Sequence, residues 1–321
     1  MKKGIAVAGT VLVDKINNIT AYPKAGELTA IKSISRAVGG LVPNVGIDLK
    51  TIDKSLNVYA CGKIGLDEEG KFVKSEFTRY GLDISALKTD KSERTSFTDV
   101  MSVTGGERTF FTYAGASALF GVDDVDFDAL QVDMLHLGYF LLLEKVDNGD
   151  GLKILKKAKE KGIKTSIDLV SENSDRYSLV LPCLKYTDNL IVNEIEGGKL
   201  AGIEPKKENI RKIAETLKDK GVNERVIIHL PDFGACLSDS GYMEIPSFEL
   251  PKGYIKGSTG AGDAFCAGAL YGIYKDFSDK EILEFASMCA AVSLRAFDAV
   301  SGMTDFKNIY EYCKRFNRKT L

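Results

Sequence analysis

The chain has 321 residues, 44% hydrophobic and 27% charged, enough to bury the core of one large α/β domain or two modest ones. Lysine and arginine number 43 against 45 aspartate and glutamate, a net charge of -2, which leaves no basic surface for a nucleic-acid partner. No apolar run is long enough to cross a membrane, so a membrane partner is not expected either.

The chain opens with Lys2 and Lys3 before an apolar run, as both secretion signals and buried first strands can. Asp14 and Lys15 follow soon after and no clean cleavage site is present, so 4–9 reads as a strand ending at a glycine turn. Strands are expected over 11–19 and 28–34, joined by a turn at 22–27 that holds Pro23 and Gly26. A helix opens at Gly39-Gly40 and continues to about Ile52, then come a strand over 56–61 and a helix over 68–80. Alternating residues over 95–103 and 108–113 flank Thr104-Gly105-Gly106-Glu107, a hairpin signal.

From there the rhythm is regular. Strands are expected at 132–137, 163–168, 189–192 and 225–230, with helices at 146–161, 177–185, 194–200 and 208–220 between them. Two short strands follow at 235–238 and 241–245, and the last third is helical over 260–275, 279–297 and 306–315. Strand–helix alternation predicts a doubly wound, mostly parallel sheet flanked by helices. The segments at about 11–36 and 95–114 break the alternation. They read as strands of a small accessory β-sheet, a lid inserted into a single domain spanning 1–321.

Ligands of such sheets bind at the carboxyl ends of the strands. Gly9 with Asp14, Gly62, Gly138, Asp168, Asn193 and the loop near Gly234 fall there. The stretch Gly257-Ser258-Thr259-Gly260-Ala261-Gly262-Asp263 runs into an apolar helix and should face them. Small residues let a ligand approach the backbone, and a helix start presents unpaired N–H groups, so Gly260, Ala261 and Gly262 suit an anion. Asp263 is either a helix cap or the base that phosphoryl transfer to an alcohol needs beside its anion hole. The six cysteines are scattered without a CxxC pair, which suggests neither a zinc framework nor disulfides and fits a cytoplasmic protein. His136 and His229, the only histidines, lie in apolar strand-like runs and read as packing residues.

The motifs resemble those of the ribokinase-like (PfkB) carbohydrate kinases. Gly260-Ala261-Gly262-Asp263 matches the core of that family's D-T-x-G-A-G-D signature, Gly39-Gly40 with Asn44 its G-G-x-x-x-N, and Asn193 with Glu196 its N-x-x-E. The three occur in the family's order, and element order agrees over nearly the whole chain. The resemblance implies an ATP- and Mg²⁺-dependent kinase acting on a primary hydroxyl of a small sugar or sugar derivative. It makes Asp263 the base and the backbone of 260–262 the anion hole. Asp14, Gly39, Gly40, Asn44 and, on the lid, Arg108 become sugar contacts. Asn193, Glu196 and Gly234 fall on the nucleotide side, with Glu196 holding Mg²⁺ through water. Dimerisation through the lid is also implied.

Departures are informative. Gly257 and Ser258 stand where the signature has Asp and Thr, and 295–299 lacks a glycine usual near the family's cation loop, which leaves activation by a monovalent cation doubtful. His229-Leu230-Pro231-Asp232-Phe233-Gly234 keeps only Leu230 and Gly234 of T-L-G-x-K-G, and Asp168-Leu169-Val170 only the Asp of D-x-N. Two other readings compete. Phe97, Phe110, Phe111 and Tyr113 could cover the base of a nucleoside, making the chain a nucleoside kinase. The altered nucleotide loop would also suit a catalytically silent regulator that binds sugar or nucleotide.

Overall fold

The computed structural model describes residues 3–103 and 108–320, so the hairpin turn expected at 104–107 lies outside the described residues. The strands are β1 (Ile5–Gly9), β2 (Leu12–Ile19), β3 (Ile31–Gly39), β4 (Val58–Gly65), β5 (Leu87–Asp90), β6 (Ser96–Val103), β7 (Arg108–Tyr113), β8 (Met134–Phe140), β9 (Lys164–Leu169), β10 (Asn189–Asn193), β11 (Arg225–His229), β12 (Phe233–Ser238) and β13 (Gly241–Pro246). The helices are α1 (Leu41–Ile52), α2 (Glu68–Tyr80), α3 (Gly115–Ala118), α4 (Gly151–Glu160), α5 (Glu194–Ala201), α6 (Ile210–Asp219), α7 (Ala261–Tyr274), α8 (Asp279–Ser293) and α9 (Phe306–Cys313).

Nine strands form one sheet in the order β13-β12-β11-β10-β9-β8-β1-β4-β5, parallel except for β12 and β13 at one edge. β1 shows why helices must cover both faces. Successive side chains of a strand point to opposite faces, and Ile5 and Val7 join one buried cluster while Ala6 and Ala8 join the other. The first cluster contains most of α1, α7 and α8; the second lies under α4 and α6. α7 is apolar around most of its circumference because it packs on α1 and α8 as well as on the sheet.

The second sheet has four strands in the order β3-β2-β6-β7. β2 begins two residues after β1 ends, so this lid grows directly from the carboxyl edge of the main sheet. All six residues of β7 are exposed, and Ile31, Ile34, Phe110 and Phe111 present apolar side chains to solvent. β3 starts later than the alternation suggested and runs to Gly39, because pairing with β2 continues to Leu12 opposite Gly39. Leu28, the expected strand start, is instead among the most exposed side chains.

Three further boundaries differ. The helix expected over 146–161 is interrupted. Gly149 has φ 110°, a wide turn covers Val146–Asp150, and the regular helix is Gly151–Glu160. α8 stops at Ser293, four residues early, in a loop anchored by Asp298, which accepts from the backbone N–H of Val300 and Ser301. β5 was missed because its four residues, Leu-Lys-Thr-Asp, carry no alternation to read. No described helix is long and apolar enough to cross a membrane.

Candidate active site

The parallel strands end on one edge, and their last residues meet the start of α7. Asp263, in the first turn of α7, is nearly fully buried. Asn44 Nδ2 donates to its Oδ2 at 2.9 Å, and the Tyr139 hydroxyl lies 3.0 Å from both carboxylate oxygens. Burial, reinforced by the charge of Asp168, raises Asp263 to about 7, while the bonds from Asn44 and Tyr139 oppose the rise. A carboxyl poised there can exchange a proton near neutral pH.

Each partner is held by its own element. Gly40 precedes α1 with φ 88°, a conformation that costs glycine little, and Val42 N donates to Thr10 O, tying the helix start to the end of β1. Asn44 is thereby fixed in the first turns of α1. Tyr139 sits at an irregularity where the pairing of β8 with β9 shifts register, and its φ is 56°. Positive φ is unfavourable for a tyrosine. Here its N–H donates to Asp168 Oδ1 at 2.6 Å, and the bend turns the ring toward Asp263. Tyr139 was not found from sequence. Gly138 at the strand end was a visible sign, but nothing in a Gly-Tyr pair announces a bulge.

Two connected hollows flank Asp263. One is a polar pocket of about 280 Å³ lined by Asp168, Glu196, Gly260, Gly262, Asp263 and Cys266 among others. The other is a mostly apolar cleft of about 660 Å³ whose walls include Pro231, Phe248, Leu250, Ile255 and Leu294. Asn193, His229 and Gly262 line both and so form the passage between them. His229, expected to pack, does stack on Phe265, with ring centroids 4.9 Å apart, but it also faces this passage, and burial lowers it to about 4. An imidazole that stays neutral can donate or accept there.

At the start of α7, Gly260 has φ 79° and turns the chain into the helix. Ala261 N donates to Ser258 O at 3.2 Å, which takes it out of the 260–262 stretch and leaves the N–H groups of Gly262 and Asp263 in the first turn beside that of Gly260. Glu196 is buried in the first turn of α5. Its carboxylate accepts from Asn193 N, Asn193 Nδ2 and Ser171 Oγ at 3.0, 2.8 and 2.9 Å. Burial, with Asp168 and Asp263 nearby, pushes it to about 8. Asp168, Glu196 and Asp263 give the pocket the hard oxygen donors that suit Mg²⁺.

Asp14 lies on β2 opposite Ala37, its carboxylate against Gly39, and burial raises it to about 6. Gly39, Gly40, Asn44 and Asp14 therefore gather around the base of the lid. Two expected residues do not join them. Gly234 is interior, packed on Phe265 and Leu283, and lines neither hollow; Leu230 and Pro231 take that place. Arg108 is exposed at the outer end of β7 opposite Ser102. That is four ladder positions beyond Thr98, the partner of Asp14, or roughly 13 Å along the strand. At Gly257 an added Cβ would lie 3.1 Å from the carbonyl oxygens of both Ala296 and Phe297, so position 257 faces that loop but, as glycine, offers it no carboxylate.

Comparison with known proteins agrees with this fold. The ribokinase of Arabidopsis thaliana is 23% identical over 314 residues, covering 97% of this chain and 81% of the relative. A 5-dehydro-2-deoxygluconokinase of Clostridium perfringens is 24% identical over 300 residues, covering 90% and 87%. The solved structure of the Arabidopsis thaliana ribokinase with ribose and ATP superposes with a TM-score of 0.83 at 22% identity, covering 97% of this chain and 98% of that one. Residues 2–305 match the family described as pfkB family carbohydrate kinase, and the chain belongs to that family of kinases.

Proposed function

We propose that this kinase transfers the terminal phosphoryl group of ATP to a primary hydroxyl of a small sugar or sugar derivative, with Asp263 as the base. The observation that carries the reading is the three-way arrangement of Asp263, Asn44 and Tyr139, with Asp263 and Tyr139 lining a polar pocket that adjoins an apolar cleft. The cleft fits a nucleotide base, and the passage at Asn193, His229 and Gly262 leads from it to Asp263. Phosphate oxygens there meet the N–H groups of Gly262 and Asp263 and the positive end of α7. Asp14, Asn44 and the Gly39-Gly40 backbone offer hydrogen bonds to sugar hydroxyls, and a sugar lacking one would leave these groups unpaired.

Asn44 and Tyr139 hold the carboxylate so that one oxygen can accept the hydroxyl proton. In a loose transition state that transfer comes late, so fixing the hydroxyl in line is much of what Asp263 contributes. Mg²⁺, when bound with the nucleotide beside Asn193 and Glu196, supplies charge neutralisation to the triphosphate. The transfer requires neither Arg108 nor a monovalent cation near Gly257. Lid pairing between two copies remains part of the proposal, since β3 and β7 leave open edges with apolar side chains.

Release of ADP with pentoses, ketohexoses, sugar acids and nucleosides tests the reading. We expect turnover with at least one sugar or sugar acid and little with nucleosides. Turnover with nucleosides alone would replace the sugar by a nucleoside. No ATP binding by calorimetry would leave a silent binding protein.

A further inference from the structure

Against the polar pocket lies a second cluster, which shares Asp168 with the site and adds His136 and Cys266, two side chains the transfer does not use. His136 Nε2 is 3.4 Å from Cys266 Sγ and 3.5 Å from Asp168 Oδ2, and the three donor atoms all lie within 4.8 Å of one another. We propose that His136, Asp168 and Cys266 bind a borderline-soft, tetrahedral divalent metal, with Zn²⁺ as the reference ion, and that occupancy turns the enzyme down.

The spacing is what such an ion needs. Bonds of about 2.0–2.3 Å at tetrahedral angles put neighbouring ligand atoms roughly 3.3–3.6 Å apart. The two measured separations fall in that range before any ion is added. Imidazole, thiolate and carboxylate suit zinc, whereas a Mg²⁺ site is built from oxygens alone.

The surrounding bonds aim the ligands. His136 Nδ1 is 2.9 Å from Ser166 Oγ, its cross-strand neighbour on β9. With Nδ1–H donating to that hydroxyl, Nε2 keeps its lone pair toward Cys266 and Asp168, the usual outer support of a metal-bound histidine. Asp168 divides its two oxygens: Oδ1 accepts from Tyr139 N, and Oδ2 faces His136. Ser166 and Asp168 are two residues apart on β9 and so share a face. Cys266 comes from α7, about one turn after Gly262. Three rigid elements therefore fix the set, and no sequence spacing announces it.

Asp168 and Cys266 also line the polar pocket, which gives an ion its entry and its fourth, open position. An ion there would cancel the Asp168 charge that acts on Asp263 and would pull on the carboxylate that anchors the bend at Tyr139. Inhibition is the expected consequence. That consequence rests on the proposed transfer reaction; binding does not.

The test uses the full chain in excess Mg²⁺. Calorimetric titration with Zn²⁺ should show one site, weakened at least tenfold in Cys266→Ser and in His136→Gln, and unchanged in Cys183→Ser, a buried cysteine remote from the set. Co²⁺ in place of Zn²⁺ should give intense tetrahedral visible bands and a thiolate charge-transfer band that Cys266→Ser abolishes. Zn²⁺ should slow ADP release reversibly in the wild type and far less in Cys266→Ser. The cobalt spectrum of the wild type stands even if a variant fails to fold. Absence of a Zn²⁺ site, a cobalt spectrum without the thiolate band, or binding that survives both ligand substitutions would overturn the proposal. Binding without inhibition would overturn the regulatory half.

Discussion

The floor of the site and the lid above it are built on opposite principles. On the floor, Asp263 is bonded to Asn44 and Tyr139 and raised to about 7 by its burial and, after that, by the charge of Asp168. Asp263, Asn44, Tyr139 and Asp168 are coupled through hydrogen bonds and charge, so a change at one is felt at the next. On the lid, β7 is wholly exposed, and Phe110, Phe111, Ile31 and Ile34 face solvent. Little is coupled, so single changes should stay local. In the proposed reaction the chemistry sits where the fold has removed freedom.

After Asp263 itself, the largest effect that would break this contrast is expected at Tyr139. Tyr139→Phe keeps the ring and removes the hydroxyl that favours the ionised form of Asp263. kcat/KM should fall about 10- to 100-fold at neutral pH. Because Asp263 must be ionised to accept the proton, wild-type kcat/KM should rise with pH through about 7. In the variant this limb should move to higher pH. A pH–rate profile of both proteins measures it, and an unmoved limb would separate Tyr139 from Asp263. Next in size is Asp14→Asn at the base of the lid. It should raise the KM for the sugar about tenfold and leave kcat within about threefold, as loss of a hydroxyl contact does.

Asp48 sharpens the contrast in a different quantity. It lies one turn after Asn44 on α1, fully buried, and among the described residues neither carboxylate oxygen has a hydrogen-bond partner. Burial, with Asp263 and Asp298 nearby, holds its carboxyl well above the usual range. A folded-state value above the unfolded one means stability is lost as pH rises from the ordinary carboxylate range toward the raised value. Asp48→Ala should therefore gain about 1 kcal/mol near neutral pH and less near pH 4. Urea unfolding at the two pH values measures this. The smallest effect is expected at Phe110→Ser on the lid, within about twofold in kcat/KM and in unfolding midpoint. A large kinetic loss there would make the lid part of the reaction's core.

Much of this was legible in the sequence, for physical reasons. The main sheet is read easily because its strands are short apolar runs between amphipathic helices, the pattern that burial on both faces imposes. Gly260 to Asp263 stood out because small residues running into an apolar helix leave free N–H groups, while Gly39-Gly40, Asn44, Asn193 and Glu196 were singled out by the resemblance of their motifs to those of the family. Tyr139 was hidden because its role comes from a backbone bend, which no residue type signals. His229 looked like core because a partly buried imidazole beside Phe265 is core on one side and passage on the other. The closeness of His136, Asp168 and Cys266 is purely tertiary. Gly234 and Arg108 carried expectations that the fold places elsewhere, one inside the core and one at the lid's outer end.

The central claim is that Asp263 performs the transfer rather than merely capping α7. Asp263→Asn keeps the size and most hydrogen bonds but removes the base. ADP release with the best sugar found, measured beside ATP binding by calorimetry, decides it. The account predicts a loss of about 10³-fold or more in kcat with ATP affinity within about threefold. Turnover within tenfold of wild type would contradict it.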